Sequence, residues 1–124
     1  MSEDKQTINQ SFAKKYRIVK PAQYKFLFNK PKRARDNNFI ILAKKNKQDF
    51  PRLGLAISKK SIKLAVQRNR IKRLIKEYFR TQVIISDQAI DFVVMAQKNI
   101  NTSSNKTLLI SLNTIFKKLI SQIA

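Results

Sequence analysis

The sequence predicts a single-domain α+β sandwich, a small mixed sheet with helices packed against it. Three observations carry this. The chain has 124 residues, 43% of them apolar, which is enough for one modest core. Its apolar pattern changes period along the chain: β-like runs at 39–43 and 53–58, a helical stripe at 64–80, a strand at 90–96, and a second stripe at 108–123. The resulting order, α-β-β-α-β-α, suits one sheet covered by helices.

Residues 1–15 are polar and without period, so they read as a flexible basic arm ahead of one domain at 16–124. Pro21 suits the first turn of a short helix. Tyr24, Leu27 and Phe28 recur at i, i+3, i+4 and give that helix an aromatic face, with Phe26 expected in the core. Lys30-Pro31 stops it. A basic connector, Lys32 to Arg35, leads to the strand Phe39 to Ala43. After Pro51, large residues alternate with small ones from Leu53 to Ser58, which is a strand with one bulky face. Gly54, the only glycine, marks either a close approach or a bulge. With Ala56 and Ser58 it leaves one face open, as a groove floor or beneath a tightly packed helix.

From about Leu64 the period is helical. Leu64, Ile71, Leu74, Ile75, Tyr78 and Phe79 share one side, while Lys72, Arg73, Lys76 and Arg80, with Arg70 at the edge, fill the other. Ile90 to Ala96 reads as a buried strand. Asn101 to Ser104 supply N-caps for a last helix with Leu108, Leu112, Ile115, Phe116, Leu119 and Ile123 on one stripe.

Charge narrows the function. Twenty-seven Lys and Arg against seven Asp and Glu leave a net +20, so the chain repels itself unless a polyanion is near. The longest apolar runs are too short to span a bilayer, and the polar N-terminus carries no secretory pattern. Without cysteine there is no case for an oxidising compartment, so a cytoplasmic protein is expected. With no His or Cys there is no imidazole base, thiolate or ordinary zinc site. The acids are scattered, and only Asp87 and Asp91 fall four apart. No catalytic or metal residue is therefore assigned.

Between Arg52 and Arg80 stand ten Lys or Arg residues and one acid, Glu77. Surface helices ordinarily intersperse both signs. Here the cations begin before the helix, at Lys59, Lys60 and Lys63, and then bracket Asn69 in Arg68-Asn69-Arg70-Ile71-Lys72-Arg73. Guanidinium forks bind phosphate bidentately, and Asn both donates and accepts at a sugar or base edge. Such a ridge suits a structured RNA backbone.

Arg52-Leu53-Gly54-Leu55-Ala56-Ile57-Ser58-Lys59-Lys60, followed by Ala65 to Glu77, closely resembles the signature of bacterial ribonuclease P proteins. The likeness extends from about Arg17 to Leu119. It implies a fold of the ribosomal-protein-S5-domain-2 type, with a left-handed crossover where chirality rules alone favour a right-handed one. It also implies a division of labour. A catalytic RNA subunit holds the Mg2+ ions and cleaves the 5′ leader from precursor tRNA, and one protein binds one such RNA and grips the leader. Positions matching the RNA-binding ridge are Arg68, Asn69, Arg70, Lys72, Arg73 and Lys76, with Arg68 near the apolar edge and partly serving the fold. Positions matching the leader groove are Tyr24, Phe28, Ala56, Ser58, Lys59 and Lys60. Some members carry an aromatic on the first strand where this chain has Leu42, so stacking there is weaker or replaced by apolar contact. A ribosomal or assembly protein, a cationic membrane-surface protein and a protein nuclease are the competing readings.

Overall fold

The computed structural model describes residues 14–86, 88–98, 100 and 103–123. Most of the expected arm, together with Asp87, Asn101 and Thr102, lies outside the described residues. After a 3-10 turn at Lys14–Tyr16 come α1 (Pro21–Phe28), β1 (Lys32–Arg35), β2 (Phe39–Lys45), β3 (Arg52–Ala56), α2 (Ala65–Tyr78), β4 (Ile90–Ala96) and α3 (Asn105–Ile123). The sheet therefore has one strand more than expected: Lys32 to Arg35 is not a connector but an edge strand, with Ala34 its one buried residue. It is held by the antiparallel register Ala34↔Ile41 to β2. Its Lys and Arg side chains blunt the exposed edge.

The order across the sheet is β1-β2-β4-β3. Central β4 runs antiparallel to β2 and parallel to β3, with α2 in the connection between the parallel pair. On one face of the sheet, Phe39, Ile41, Phe92 and Val94 pack with Ile71, Ile75 and Phe79 and with Leu112 and Phe116 of α3. The Phe92 and Phe116 rings lie 4.7 Å apart. On the other face, Leu42 and Val93 meet Ile18 and Leu27 of the α1 region in a smaller cluster. Cover on both faces explains why β4 reads as a continuous apolar run.

Two expectations about side chains are overturned. Leu27 is the fully buried residue of α1, while Phe26 is 36% exposed. The Phe26 ring instead takes the Lys44 ammonium 4.1 Å above its centroid. That ammonium also donates to the carbonyls of Phe26 (3.1 Å) and Asn29 (2.8 Å), capping the C-terminus of α1. Leu64 is not on the buried stripe of α2; it is the residue preceding the helix and is 62% exposed. Past Tyr78 the helix widens into a π turn, Phe79–Val83, where the Thr81 hydroxyl donates to the Glu77 carbonyl at 2.9 Å. Of the expected caps on α3, Ser104 serves: its hydroxyl accepts the Thr107 N–H at 3.2 Å.

Candidate nucleic-acid interface

The residues expected on the RNA ridge are divided by the structure into two kinds. Arg68, at the rim of the buried face of α2, turns its guanidinium back to the carbonyls of Ile62 and Lys63, both at 2.9 Å. It ties the loop to the helix, the fold role its place on the wheel suggested. Arg70 reaches across to α3: Nε donates to Gln67 Oε1 at 3.0 Å, and the guanidinium bonds Asn105 Oδ1 and, at 3.5 Å, the Ser103 carbonyl. Both Arg side chains therefore have internal partners.

Asn69 and Arg73 are of the other kind. They are exposed on the outer side of α2, flanked by the half-buried Lys72 and Lys76. None of these four side chains has a hydrogen bond or ion pair among the described residues. Lys59, Lys60 and Lys63 are exposed just before the helix. Ser58 shapes this turn: its Oγ accepts the Ser61 N–H at 3.3 Å, and its carbonyl accepts the Ile62 N–H at 3.0 Å. A lysine-bearing turn thus leads into a helix whose outer face carries free donors. The nearest acid, Glu77, is engaged by Arg80 at 2.5 Å.

The second surface lies on the α1 side of the sheet. Tyr24 and Phe28, one turn apart, stack with ring centroids 6.2 Å apart at 24°. Phe28 is 49% exposed. Tyr24 lies over β3: a Cβ placed on Gly54 would stand 2.8 Å from its hydroxyl oxygen and 2.9 Å from Cε1. Gly54 thus marks the close approach of a side chain, not a bulge. The Tyr24 hydroxyl donates to the Ile18 carbonyl at 3.0 Å. Burial raises its pKa, partly opposed by the Leu55 backbone. Beyond the ring, Ala56 and Ser58 stay exposed, so small side chains and two aromatic rings share this side. Leu42 belongs to the buried cluster under α1, where it supplies packing.

Arg52, the first residue of the cationic segment, is internal. Its Nε and Nη2 meet the two Asp91 oxygens at 2.8 and 2.7 Å, and Asn46 adds a bond of 2.7 Å to the same carboxylate. Asp91 is fully buried. Asp36 accepts the backbone N–H groups of Asn38 and Phe39. Among the described residues no group of three or more His, Cys, Asp or Glu could hold a metal ion. Sequence reasoning missed Lys44 and Arg17 because both lie outside the dense 52–80 segment, among other cations from which no local pattern separates them.

The family model described as Ribonuclease P matches residues 12–120. The chain is 43% identical over 109 residues to the ribonuclease P protein component of Pseudoalteromonas translucida, covering 88% of this chain and 77% of that protein. It is 44% identical over 99 residues to the corresponding protein of Aliivibrio fischeri, covering 80% and 84%. Among solved structures, the Staphylococcus aureus RNase P protein superposes with a TM-score of 0.73 at 31% identity, covering 82% of this chain and 93% of that one. A mutant of the S. aureus protein described as defective in mRNA degradation activity gives 0.78 at 29% identity, covering 98% of both chains.

Proposed function

Because the chain belongs to the ribonuclease P protein family, and so serves tRNA 5′ processing, we propose that α2 and the turn before it bind the ribonuclease P RNA while the α1–β3 side takes the 5′ leader of precursor tRNA. The observation that carries this reading is the free outer face of α2: Asn69 and Arg73 exposed, Lys72 beside them, and no acid engaged with any of the three among the described residues. Unpaired cations on a chain of net +20 gain most from a phosphate backbone, through released counterions. The Tyr24–Phe28 pair beside Ala56 and Ser58 suits single-stranded bases, which stack without regard to sequence at roughly 1–3 kcal/mol each.

In this reading the assembly is one RNA with one protein, working in the cytoplasm, and the protein catalyses nothing alone. The RNA and substrate supply the sites for the Mg2+ ions. Among the described residues, Asp91 is committed to Arg52 and Asn46, Glu77 to Arg80, and Asp36 to two backbone amides. The chain's part is to bind and to orient. The lysines of the 59–63 turn lie between the two surfaces in sequence, and bring cationic charge to where substrate meets RNA subunit.

The test is leader cleavage from precursor tRNA by the cognate RNA at low magnesium, with and without the protein. The reading predicts a large gain in cleavage with the protein and none from the protein alone. No gain over RNA alone, or cleavage by the protein alone, contradicts it.

A further inference from the structure

At the outer edge of β3 the chain forms a second cationic feature. Residues 17–18 add to that edge: Arg17 bridges Leu53 in parallel register, and the Ile18 N–H donates to the Leu53 carbonyl at 2.9 Å. Bridged residues project to the same face of a sheet. Leu53 belongs to the core on the α2 side, so Arg17 projects to that side, while the next residue, Ile18, packs under α1. A cleft of about 200 Å³ opens there, lined by Arg17, Val19, Tyr24, Leu55 and, from α2, Lys76. The Arg17 Nε atom is shut off from solvent and has no hydrogen-bond partner among the described residues. Lys76 likewise has no hydrogen bond or ion pair among them, and no acid among the described residues lines the cleft.

Two cations share a small cleft with apolar walls, and one holds a buried N–H unsatisfied. Like charges confined together raise each other's cost, and a buried charged donor without a partner costs further. One anion entering the cleft offsets both positive charges. We propose that Arg17 and Lys76 form a binding site for one phosphodiester group of the precursor-tRNA leader. The assignment to the leader rests on the function proposed above and on Tyr24. Its ring lies over Gly54 on the leader side, while the same residue lines this cleft. A strand stacked on Tyr24 and Phe28 therefore runs past the cleft mouth as it crosses the edge of β3 toward α2. Arg17 supplies a planar fork for the phosphate oxygens and Lys76 a point charge from the facing wall.

The test compares Arg17→Met, Lys76→Met and Arg17→Lys in the complete ribonucleoprotein. Affinity is measured for precursor tRNA, for mature tRNA and for the RNA subunit binding the protein. Each Met variant is expected to weaken precursor binding about 5- to 10-fold, leave mature tRNA unchanged, and reduce the salt slope by about one. Arg17→Lys should recover part of the loss. Should Arg17→Met fail to fold, Lys76→Met on the helix surface carries the same test. Equal loss for mature tRNA assigns the phosphate to the tRNA body, and loss confined to assembly assigns it to the RNA subunit; either overturns the leader assignment. If precursor binding is unchanged while Phe28→Ala still weakens it, the cleft is not a leader site though the groove stands. If Phe28→Ala has no effect either, the groove itself is refuted.

Discussion

The ring of Tyr24 occupies the space that a side chain on residue 54 would fill: a Cβ there would lie 2.8 Å from the tyrosine oxygen and 2.9 Å from Cε1. The glycine is thus a requirement of the α1 helix and not of backbone conformation. The hydroxyl, bonded to the Ile18 carbonyl at 3.0 Å, ties α1 to the segment on the edge of β3. One tyrosine couples the groove to the sheet edge.

Gly54→Ala should expel that ring. The added methyl must displace Tyr24 or the strand, at about 1–3 kcal/mol for overpacking. Urea denaturation should show the loss, and precursor-tRNA binding should fall in parallel because Tyr24 no longer lies over β3. A variant of unchanged stability and unchanged leader affinity contradicts the packing described.

Asp91→Ala should destabilise the fold by about 3–5 kcal/mol, since it strands the Arg52 guanidinium, whose side chain is 13% exposed, without its partner. The readout is the denaturation midpoint at neutral pH. A loss below about 1 kcal/mol would contradict the idea that the pair is internal, because exposed pairs contribute only that much.

Arg70→Ala and Arg73→Ala should part company. Arg70 straps α2 to the start of α3, so its loss should cost stability of about 1–3 kcal/mol, as for a charge-assisted bond. Arg73, exposed and unpaired among the described residues, should leave the midpoint alone and lower the salt slope of RNA-subunit binding by about one. Identical stability effects would remove the distinction.

Alkaline pH should weaken the fold through two tyrosines. Burial raises the pKa of both Tyr24 and Tyr78 above the ordinary 10.0. A raised folded-state pKa means that the unfolded chain releases its protons first, so their stabilising effect is complete below about pH 10 and is lost as pH climbs through the folded values. Tyr78→Phe should flatten that decline in denaturation midpoint, at the expense of the bond to Asn113 Oδ1 (3.0 Å). An unaltered alkaline decline in that variant contradicts its share of the effect.

Much of this was legible in the sequence, and the gaps have physical causes. The stripe from Leu108 to Leu119 on α3 reads correctly because one face of that helix is buried along its length, and the apolar run of β4 because nearly every residue of that strand is buried. β1 was hidden because Lys-Arg-Ala-Arg has almost no strand propensity; pairing with β2 makes it a strand. Over only eight residues the helical spacing does not decide between the neighbouring Phe26 and Leu27 for the sheet side, and the buried one is Leu27. Arg68, Arg70 and Arg73 look alike on a wheel. Their difference lies in the carbonyls of Ile62, Lys63 and Ser103, which no local pattern reveals. Arg52 reads as part of a cationic block because its partner, Asp91, stands thirty-nine residues on.

The central claim is that two separate faces of one small domain hold two RNAs, and a crossed pair of measurements tests it most directly. Phe28→Ala and Arg73→Ala are each assayed for the protein's affinity for the RNA subunit and for the assembled enzyme's preference for precursor over mature tRNA. The account predicts that Phe28→Ala lowers that preference with assembly unchanged, while Arg73→Ala weakens assembly and leaves the preference intact. Equal effects of both substitutions on both quantities would contradict it.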